Sequence, residues 1–437
     1  MRVLIRGGEI IDPANSREHE VLDLLLVDGK VASIGSNLPV DGAKAIDARG
    51  LIVAPGLVDM HVHFREPGQE HKETIRSGTR AAARGGFTSA AAMANTQPVA
   101  DSPRIIRDIV DRAERDSIIN VFPIGSVSVG LRGEELVDVG GLVSAGAVAI
   151  SDDGKPVRNP EIMRQALMRC KEYGIPLISH CEELMDAYAG WTVNRGQISS
   201  KLGLIGLPNS AEERMVERDV KLAEDTGAHL HVAHVSTAGS VELIRRAKEK
   251  DVNVTAEATP HHFTLTDVAV EKYGANAKMS PPLRSQEDVD AVIAGLSDGT
   301  IDAIVTDHAP HTQAEKALGI EEAPFGVVGL ETCLPLVITR LVNAGHLTMS
   351  EAVAEMTVKP ARILNLSKGT LSEGADADVT IVDMEKEQVV DVSKFESKGR
   401  NTPFAGWKLK GWPVMTIVEG NIVFQMSTTK TPRHEEH

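Results

Sequence analysis

Three cysteines in 437 residues are too few for a disulfide framework, and Cys170, Cys181 and Cys333 do not stand at the spacings of a zinc knuckle. They read as reduced packing residues, with Cys181 placed beside His180. Long hydrophobic runs are missing too. No stretch approaches the roughly 20 apolar residues of a spanning helix, and the N-terminal MRVLIRGGEI lacks the apolar core of a signal peptide. A cytoplasmic protein with no membrane partner is therefore expected. The chain also lacks a dense cluster of lysine and arginine. With 46 basic against 62 acidic residues its net charge is -16, which argues against nucleic acid or an anionic membrane as partner. Any anionic substrate must be held by local positive charge.

What is present is an ordinary soluble composition, 42% hydrophobic and 25% charged, on a chain long enough for a barrel with an appended module. Only the polar tail, 427–437, reads as flexible. Between 55 and 345, short β-rich runs alternate with amphipathic stretches, the pattern of repeated βα units around a parallel sheet. The runs are 57–63, 87–94, 121–126, 147–151, 176–180, 229–235, 252–257 and 303–307. Helices are predicted over 72–83, 103–115, 160–173, 211–226 and 240–250, with Pro103 and Pro160 where a helix can begin. Eight such units close into a (β/α)8 barrel.

The flanks are β-rich and short. Asp28-Gly29 and Glu419-Gly420 each separate two strand-like runs and predict hairpins. Neither flank can bury a core alone, so both ends are expected to meet in one small β-sandwich-like domain, 1–54 plus 366–426, beside a barrel over 55–365. The fold class is α/β.

Polar residues gather at the ends of these runs. His61 and His63 end the first run, and strand alternation puts both imidazoles on one face. Asp152-Asp153 follows the fourth, His180 ends the fifth, His234 ends the sixth and Asp307 ends the eighth. Singly, His180 or His234 would read as a hydrogen-bonded structural histidine, and Asp152-Asp153-Gly154 as a turn. Together they fall on the C-terminal rim of a barrel, where catalytic groups collect. His229 and His231 lie further from that rim, His261-His262 reads as a strand-helix junction, and His19, His71 and His346 as surface. Nitrogen and carboxylate ligands in this number exceed the needs of one tetrahedral zinc and suit a pair of ions sharing a carboxylate.

These positions resemble the amidohydrolase superfamily, and finer motifs are similar to the bacterial dihydroorotase family with an aspartate bridge. The motifs are Val58-Asp59-Met60-His61-Val62-His63-Phe64-Arg65-Glu66-Pro67-Gly68, Asn95-Thr96-Gln97-Pro98, His234-Val235-Ser236-Thr237, Pro281-Pro282-Leu283-Arg284 and Thr306-Asp307-His308-Ala309-Pro310-His311. The resemblance implies a metal-dependent hydrolase barrel with two Zn2+ held by His61, His63, Asp153, His180, His234 and Asp307. It makes Asp153 the bridge, while strand alternation alone leaves Asp152 open and Lys155 a remote third. Asp307 is expected to carry the proton between nucleophile and leaving nitrogen.

The implied reaction is the reversible cyclisation of N-carbamoyl-L-aspartate to L-dihydroorotate in pyrimidine biosynthesis. Arg65, two residues beyond His63, can clamp the substrate carboxylate with its planar fork; its bland role is a salt bridge to Glu66 or Glu70. By resemblance Asn95 and His311 share that carboxylate, His63 adjoins the substrate, and Phe325 and Gly326 meet the ring edge through their backbone. The loop 311–326 reads as a cover over the ring or as a surface excursion. One departure stands out: the family usually has asparagine where this chain has Ser280. An allantoinase or hydantoinase is the nearest rival, and a non-catalytic partner of aspartate carbamoyltransferase the rival from another class. A homo-oligomer is expected, with association to that transferase as a further partner reading.

Overall fold

The computed structural model describes residues 2–183 and 185–426; the tail predicted to be flexible lies outside them. The chain opens with strands β1 (Arg2–Asp12), β2 (Arg17–Val27), β3 (Lys30–Gly35), β4 (Lys44–Asp47) and β5 (Ile52–Pro55). Six residues of β6 (Leu57–Val62) then follow immediately after Gly56. With β7 (Phe87–Ala92), β8 (Asn120–Gly125), β9 (Ala149–Ile150) and β10 (Leu177–Ser179) they form the first part of a parallel sheet. A two-stranded excursion, β11 (Val193–Asn194) with β12 (Gly206–Leu207), interrupts the series. Then β13 (Leu230–Val232), β14 (Val254–Ala258) and β15 (Ala303–Ile304) complete eight parallel strands.

These are the eight runs predicted from sequence, in chain order around the barrel. A parallel bridge from Val62 to His308 draws the two outer strands together, and the His63 amide donates to the His308 carbonyl at 2.9 Å. The strands are short and apolar on both faces because helices cover the outside. Met60, Ala91, Ile124, Ala149, Ile178, Ala303 and Val305 fill the barrel axis, with Ile363 and Leu364 packed against them. The helices fall where the pattern placed them: Ile75–Arg84, Pro103–Asp116, Pro160–Tyr173, Asn209–Thr226 and Ala238–Lys248. Thr74 and Thr237 cap two of them through side-chain oxygens.

Both ends of the chain share one mixed sheet. Its order is β18-β17-β16-β5-β1-β2-β3, where β16 is Val379–Val389, β17 Lys408–Val418 and β18 Asn421–Gln425, and β4 pairs with β1. Both predicted hairpins form. Asp28 and Gly29 take φ 48° and 79°, and Glu419 and Gly420 take φ 48° and 78°, the left-handed pair that a tight hairpin needs. Val3, Ile5, Leu24, Val53, Val379 and Ile417 make the sheet's core. Since β5 lies in this sheet and runs directly into β6, the end sheet anchors the strand that carries His61. Thr416 Oγ1 to the Ala83 carbonyl at 2.6 Å and Asn120 Nδ2 to Asp378 Oδ2 at 2.9 Å add to that anchoring. Among the described residues no helix is long and apolar enough to cross a membrane.

Candidate metal centre and substrate cavity

Where the parallel strands end, their backbone turns sharply, and three polar residues sit in the left-handed region: Arg65 at φ 60°, His234 at 31° and Asp307 at 45°. Such conformations cost about 1–3 kcal/mol for residues other than glycine and cluster where side chains must be aimed. Asp59 braces the first of these ends. Its carboxylate accepts from the His61 amide at 3.1 Å, the Thr306 amide at 3.2 Å and Thr306 Oγ1 at 2.6 Å, which ties β6 to the segment carrying Asp307.

Four histidines and two aspartates converge here, none more than 6% exposed. Asp153 is the hub. One oxygen lies 3.3 Å from His61 Nε2, 3.4 Å from His180 Nδ1 and 3.5 Å from His234 Nε2, and the other 3.4 Å from His63 Nε2. Asp307 Oδ1 lies 3.1 Å from His63 Nε2 and 3.6 Å from His61 Nε2. The ligand atoms therefore fall into two groups, His61-His63-Asp153 and Asp153-His180-His234, joined through one carboxylate. Asp152 points elsewhere, accepting from the amides of Val127 and Ser128 at 2.7 and 3.0 Å and from the Ser128 hydroxyl.

The donor set fits a pair of divalent cations. His61 Nδ1 is engaged by Glu257 Oε1 at 2.6 Å, while its fully buried Nε2 faces the aspartates and, like His234 Nδ1, has no hydrogen-bond partner among the described residues. A carboxylate behind a histidine in this way fixes the tautomer whose free nitrogen can coordinate. Glu182 Oε2 engages His180 Nε2 at 2.8 Å in the same manner. Electrostatics agree. Burial disfavours charge on His61, yet Glu257 and Asp153 hold its pKa well above the ordinary value, and Asp153 and Glu182 raise His180 to about 10. Burial likewise pushes Asp153 and Asp307 up, but the imidazoles, His61 foremost for Asp153 and His63 for Asp307, hold both well below the usual range. The cluster favours positive charge at its centre, whether on protons or on a metal.

Beside it opens a cavity of about 160 Å³ lined by every predicted substrate residue: His63, Arg65, Asn95, Ser280, His311, Phe325 and Gly326. Asn95 spans cavity and cluster, with Oδ1 2.9 Å from His63 Nδ1 and Nδ2 3.4 Å from Asp153 Oδ2. Arg65 has no carboxylate partner among the described residues. Glu66, its bland candidate, pairs with Arg112 at 2.9 Å instead, and Glu70 binds the Gly68 amide. The Arg65 guanidinium reaches the Pro310 carbonyl at 3.3 Å and lies 3.3 Å from His311 Nε2. Burial and the charges of Arg65, Lys316 and Lys72 lower His311 to about 2, so its ring is neutral and can donate to the Phe325 carbonyl at 2.8 Å.

The loop 311–326 is packed down rather than extended. Its short helix Gln313–Lys316 is capped by Thr312, and Lys316 Nζ donates to the carbonyls of Ala275 and Pro324 at 2.9 and 2.8 Å. Phe325 lies between the Trp191 ring and the Lys278 ammonium, each at 4.5 Å. Gly326 is required: its φ is 117°, and a Cβ there would meet Ala309 Cβ at 2.6 Å. Ser280 points its hydroxyl at Glu182, joining the support of His180.

Sequence reading missed that supporting layer. Glu257 stands one residue before the end of β14, and Glu182 follows β10 in a loop. Position at a strand's C-terminal end was the available signal for Glu257. His231, set aside for its depth, lies 3.1 Å from Glu257 Oε2. His19, His71 and His346 are exposed, as expected.

A parallel β/α barrel whose rim carries two histidine-aspartate ligand groups sharing a carboxylate defines a metal-assisted hydrolase. The profile of the Amidohydrolase family matches residues 52–423. Dihydroorotases of Pelotomaculum thermopropionicum and Syntrophus aciditrophicus are 54% and 53% identical, each covering 97% of this chain and 99% and 100% of their own lengths. In structure the chain is similar to an L-hydantoinase (dihydropyrimidinase) from Arthrobacter aurescens, with TM-score 0.88, 27% identity and coverage of 97% and 96%. It is also similar to a dihydropyrimidinase from Brevibacillus agri NCHU1002, with TM-score 0.84, 25% identity and coverage of 97% and 95%. The chain belongs to the amidohydrolase family and, within it, to the dihydroorotases.

Proposed function

We propose that the chain interconverts N-carbamoyl-L-aspartate with L-dihydroorotate and water, the ring-closing step of de novo pyrimidine synthesis. One observation carries the reading. Among the described residues Arg65 stands without a carboxylate partner, in the same cavity as the two ligand groups, which supports a substrate ring bearing a carboxylate. A neutral hydantoin would leave that guanidinium unpaired, at the cost that desolvated charges carry.

His61, His63, Asp153, His180, His234 and Asp307 would hold two zinc ions, the nitrogen-rich donor set being suited to zinc, with Asp153 shared. When bound, the metals supply water activated at neutral pH and polarisation of the ring carbonyl. Arg65 binds the substrate carboxylate, assisted by Asn95 and neutral His311, and sets the amide carbon over Asp153 and Asp307. His63 borders the ring, and the backbone of Phe325 and Gly326 meets its edge. In hydrolysis a water oxygen bonds to the amide carbon while Asp307 takes its proton. The carbon-nitrogen bond then breaks, and Asp307 returns the proton to the ring nitrogen, whose position between two carbonyls makes it a good leaving group. Cyclisation reverses each step. Ser280 acts on substrate through Glu182 or an intervening water.

The barrel over 55–365 would carry this chemistry in the cytoplasm, beside the end domain of 1–54 and 366–426. The chain would act as a homo-oligomer able to associate with aspartate carbamoyltransferase. The test is turnover of dihydroorotate, allantoin and hydantoin by the zinc-loaded protein. Preference for dihydroorotate is expected. Preference for either neutral ring overturns the assignment, and loss of all three activities with no bound metal would favour the non-catalytic reading.

A further inference from the structure

Asp152 is a buried carboxylate beside the metal cluster that contributes no ligand atom. Its three bonds to Val127 and Ser128 fasten the loop after β8 to the loop after β9, and Ser128 Oγ in turn accepts from the Gly133 amide at 2.7 Å. Each loop carries cations. Arg132 on one, and Lys155 and Arg158 on the other, line a cavity of about 280 Å³ closed by Leu131, Gly133 and Pro156. Gly154, next to Lys155 in the chain, lines the substrate cavity, so the turn 152–155 contributes lining to both cavities.

Among the described residues no carboxylate lines this cationic cavity. Lys155 and Arg158 have no ion-pair partner among the described residues. Arg132 has only Glu134, at 3.6 Å with both side chains more than half exposed, a pairing worth little in solvent. Three weakly compensated cations on exposed loops, on a chain of net charge -16, make a local field opposite to that of the whole molecule.

We propose that Arg132, Lys155 and Arg158 form an anion-docking site that receives a carboxylate of the incoming linear dianion before it enters the substrate cavity. The identity of that dianion rests on the function proposed above; the pocket itself does not. Repelled by the bulk of the chain, a dicarboxylate is collected beside the turn whose Gly154 lines the substrate cavity. The held geometry of the two loops, fixed by Asp152, keeps the three cations together despite their mutual repulsion.

The test compares zinc-loaded wild type with the variant R132Q/K155Q/R158Q and with the charge-preserving R132K/K155R/R158K. At about 20 mM ionic strength the glutamine variant is expected to lose about tenfold in kcat/KM for cyclisation, through KM, with kcat held. The loss should vanish toward 0.5 M salt as the charges are screened, and the charge-preserving variant should follow wild type. Because the equilibrium constant fixes the ratio of the two directions, ring opening should fall by the same factor. Malonate binding, measured by calorimetry in an Arg65→Met background to silence the substrate cavity, should weaken when the three cations are neutralised. Equal kinetics at every salt, a salt-independent loss, or equal malonate binding would each overturn the proposal. If wild type turns over neither carbamoyl aspartate nor dihydroorotate, the functional reading fails and the malonate comparison alone decides the pocket.

Discussion

Replacing Glu257 should weaken metal binding without touching a ligand. The carboxylate is fully buried on β14 and holds His61 Nδ1 at 2.6 Å, His231 Nε2 at 3.1 Å and the His234 amide at 3.3 Å. Two of these three partners belong to residues of the ligand groups. In Glu257→Gln an amide oxygen can still accept from His61 Nδ1, but the bond loses its ionic component, roughly half its strength. In Glu257→Ala the His61 Nδ1 proton is left buried and unpaired, a penalty of about 1–3 kcal/mol. We therefore expect metal affinity to fall about 10-fold in the glutamine variant and about 100-fold in the alanine variant, within the range found for outer carboxylates of metal sites. Competition with a chromophoric zinc chelator measures this, with circular dichroism to establish that each variant is folded. A folded alanine variant that binds zinc as tightly as wild type would show that Glu257 gives His61 no support. The metal-free chain adds a pH signature. Burial raises Glu257, but His61 and His231 hold it at about 2, below its unfolded value of 4.5. Its stabilisation is complete above pH 4.5 and lost as pH falls through about 2.

Asp307→Asn should retain zinc through the remaining ligands and lose about 10²–10⁴-fold in kcat, since the amide cannot carry the proton; full turnover at full metal loading would remove Asp307 from that role. Arg65→Met should raise KM for dihydroorotate by at least tenfold, the loss of a bidentate carboxylate pair, and narrow the preference over hydantoin measured side by side. Glu355 is buried with one oxygen unpartnered and Lys359 only 3.4 Å away and a third exposed, so burial wins and raises it to about 8. Its protonated form stabilises the fold below pH 4.5, and that contribution is lost as pH rises through about 8. Glu355→Gln should accordingly match wild type near pH 4.5 and exceed it above pH 8 by about 1–3 kcal/mol in urea unfolding.

The strands and the convergence of the candidate ligands were legible because both rest on local pattern. Apolar runs of four to eight residues between amphipathic stretches have few realisations other than a parallel barrel, and the barrel then brings distant strand ends to one rim. That is how His61, Asp153, His180, His234 and Asp307 could be gathered from five separate places. The choice between Asp152 and Asp153 was not legible from alternation, because the two-residue β9 ends at Ile150 and the side chains beyond it follow the turn, not the pleat. What separates them is the pair of amides at Val127 and Ser128, which draw Asp152 away to a neighbouring loop. Glu257 and Glu182 were hidden for a related reason. Their partners, His61 and His180, are themselves the conspicuous residues, and nothing in the spacing marks a carboxylate that acts from behind a ligand. Ser280, expected as a substrate contact by resemblance, lines the cavity and bonds Glu182, a partner that spacing in the sequence did not mark.

If two metal ions share Asp153, the zinc stoichiometry of a pair of variants must show it. Purified wild type, Asp152→Ala and Asp153→Ala would be loaded with zinc, freed of excess and analysed for metal per chain. Two zinc ions are expected in wild type and, where the fold survives loss of its loop clamp, in the Asp152 variant, against fewer than one in the Asp153 variant. Two ions retained by a folded Asp153→Ala protein would rule out Asp153 as the shared ligand.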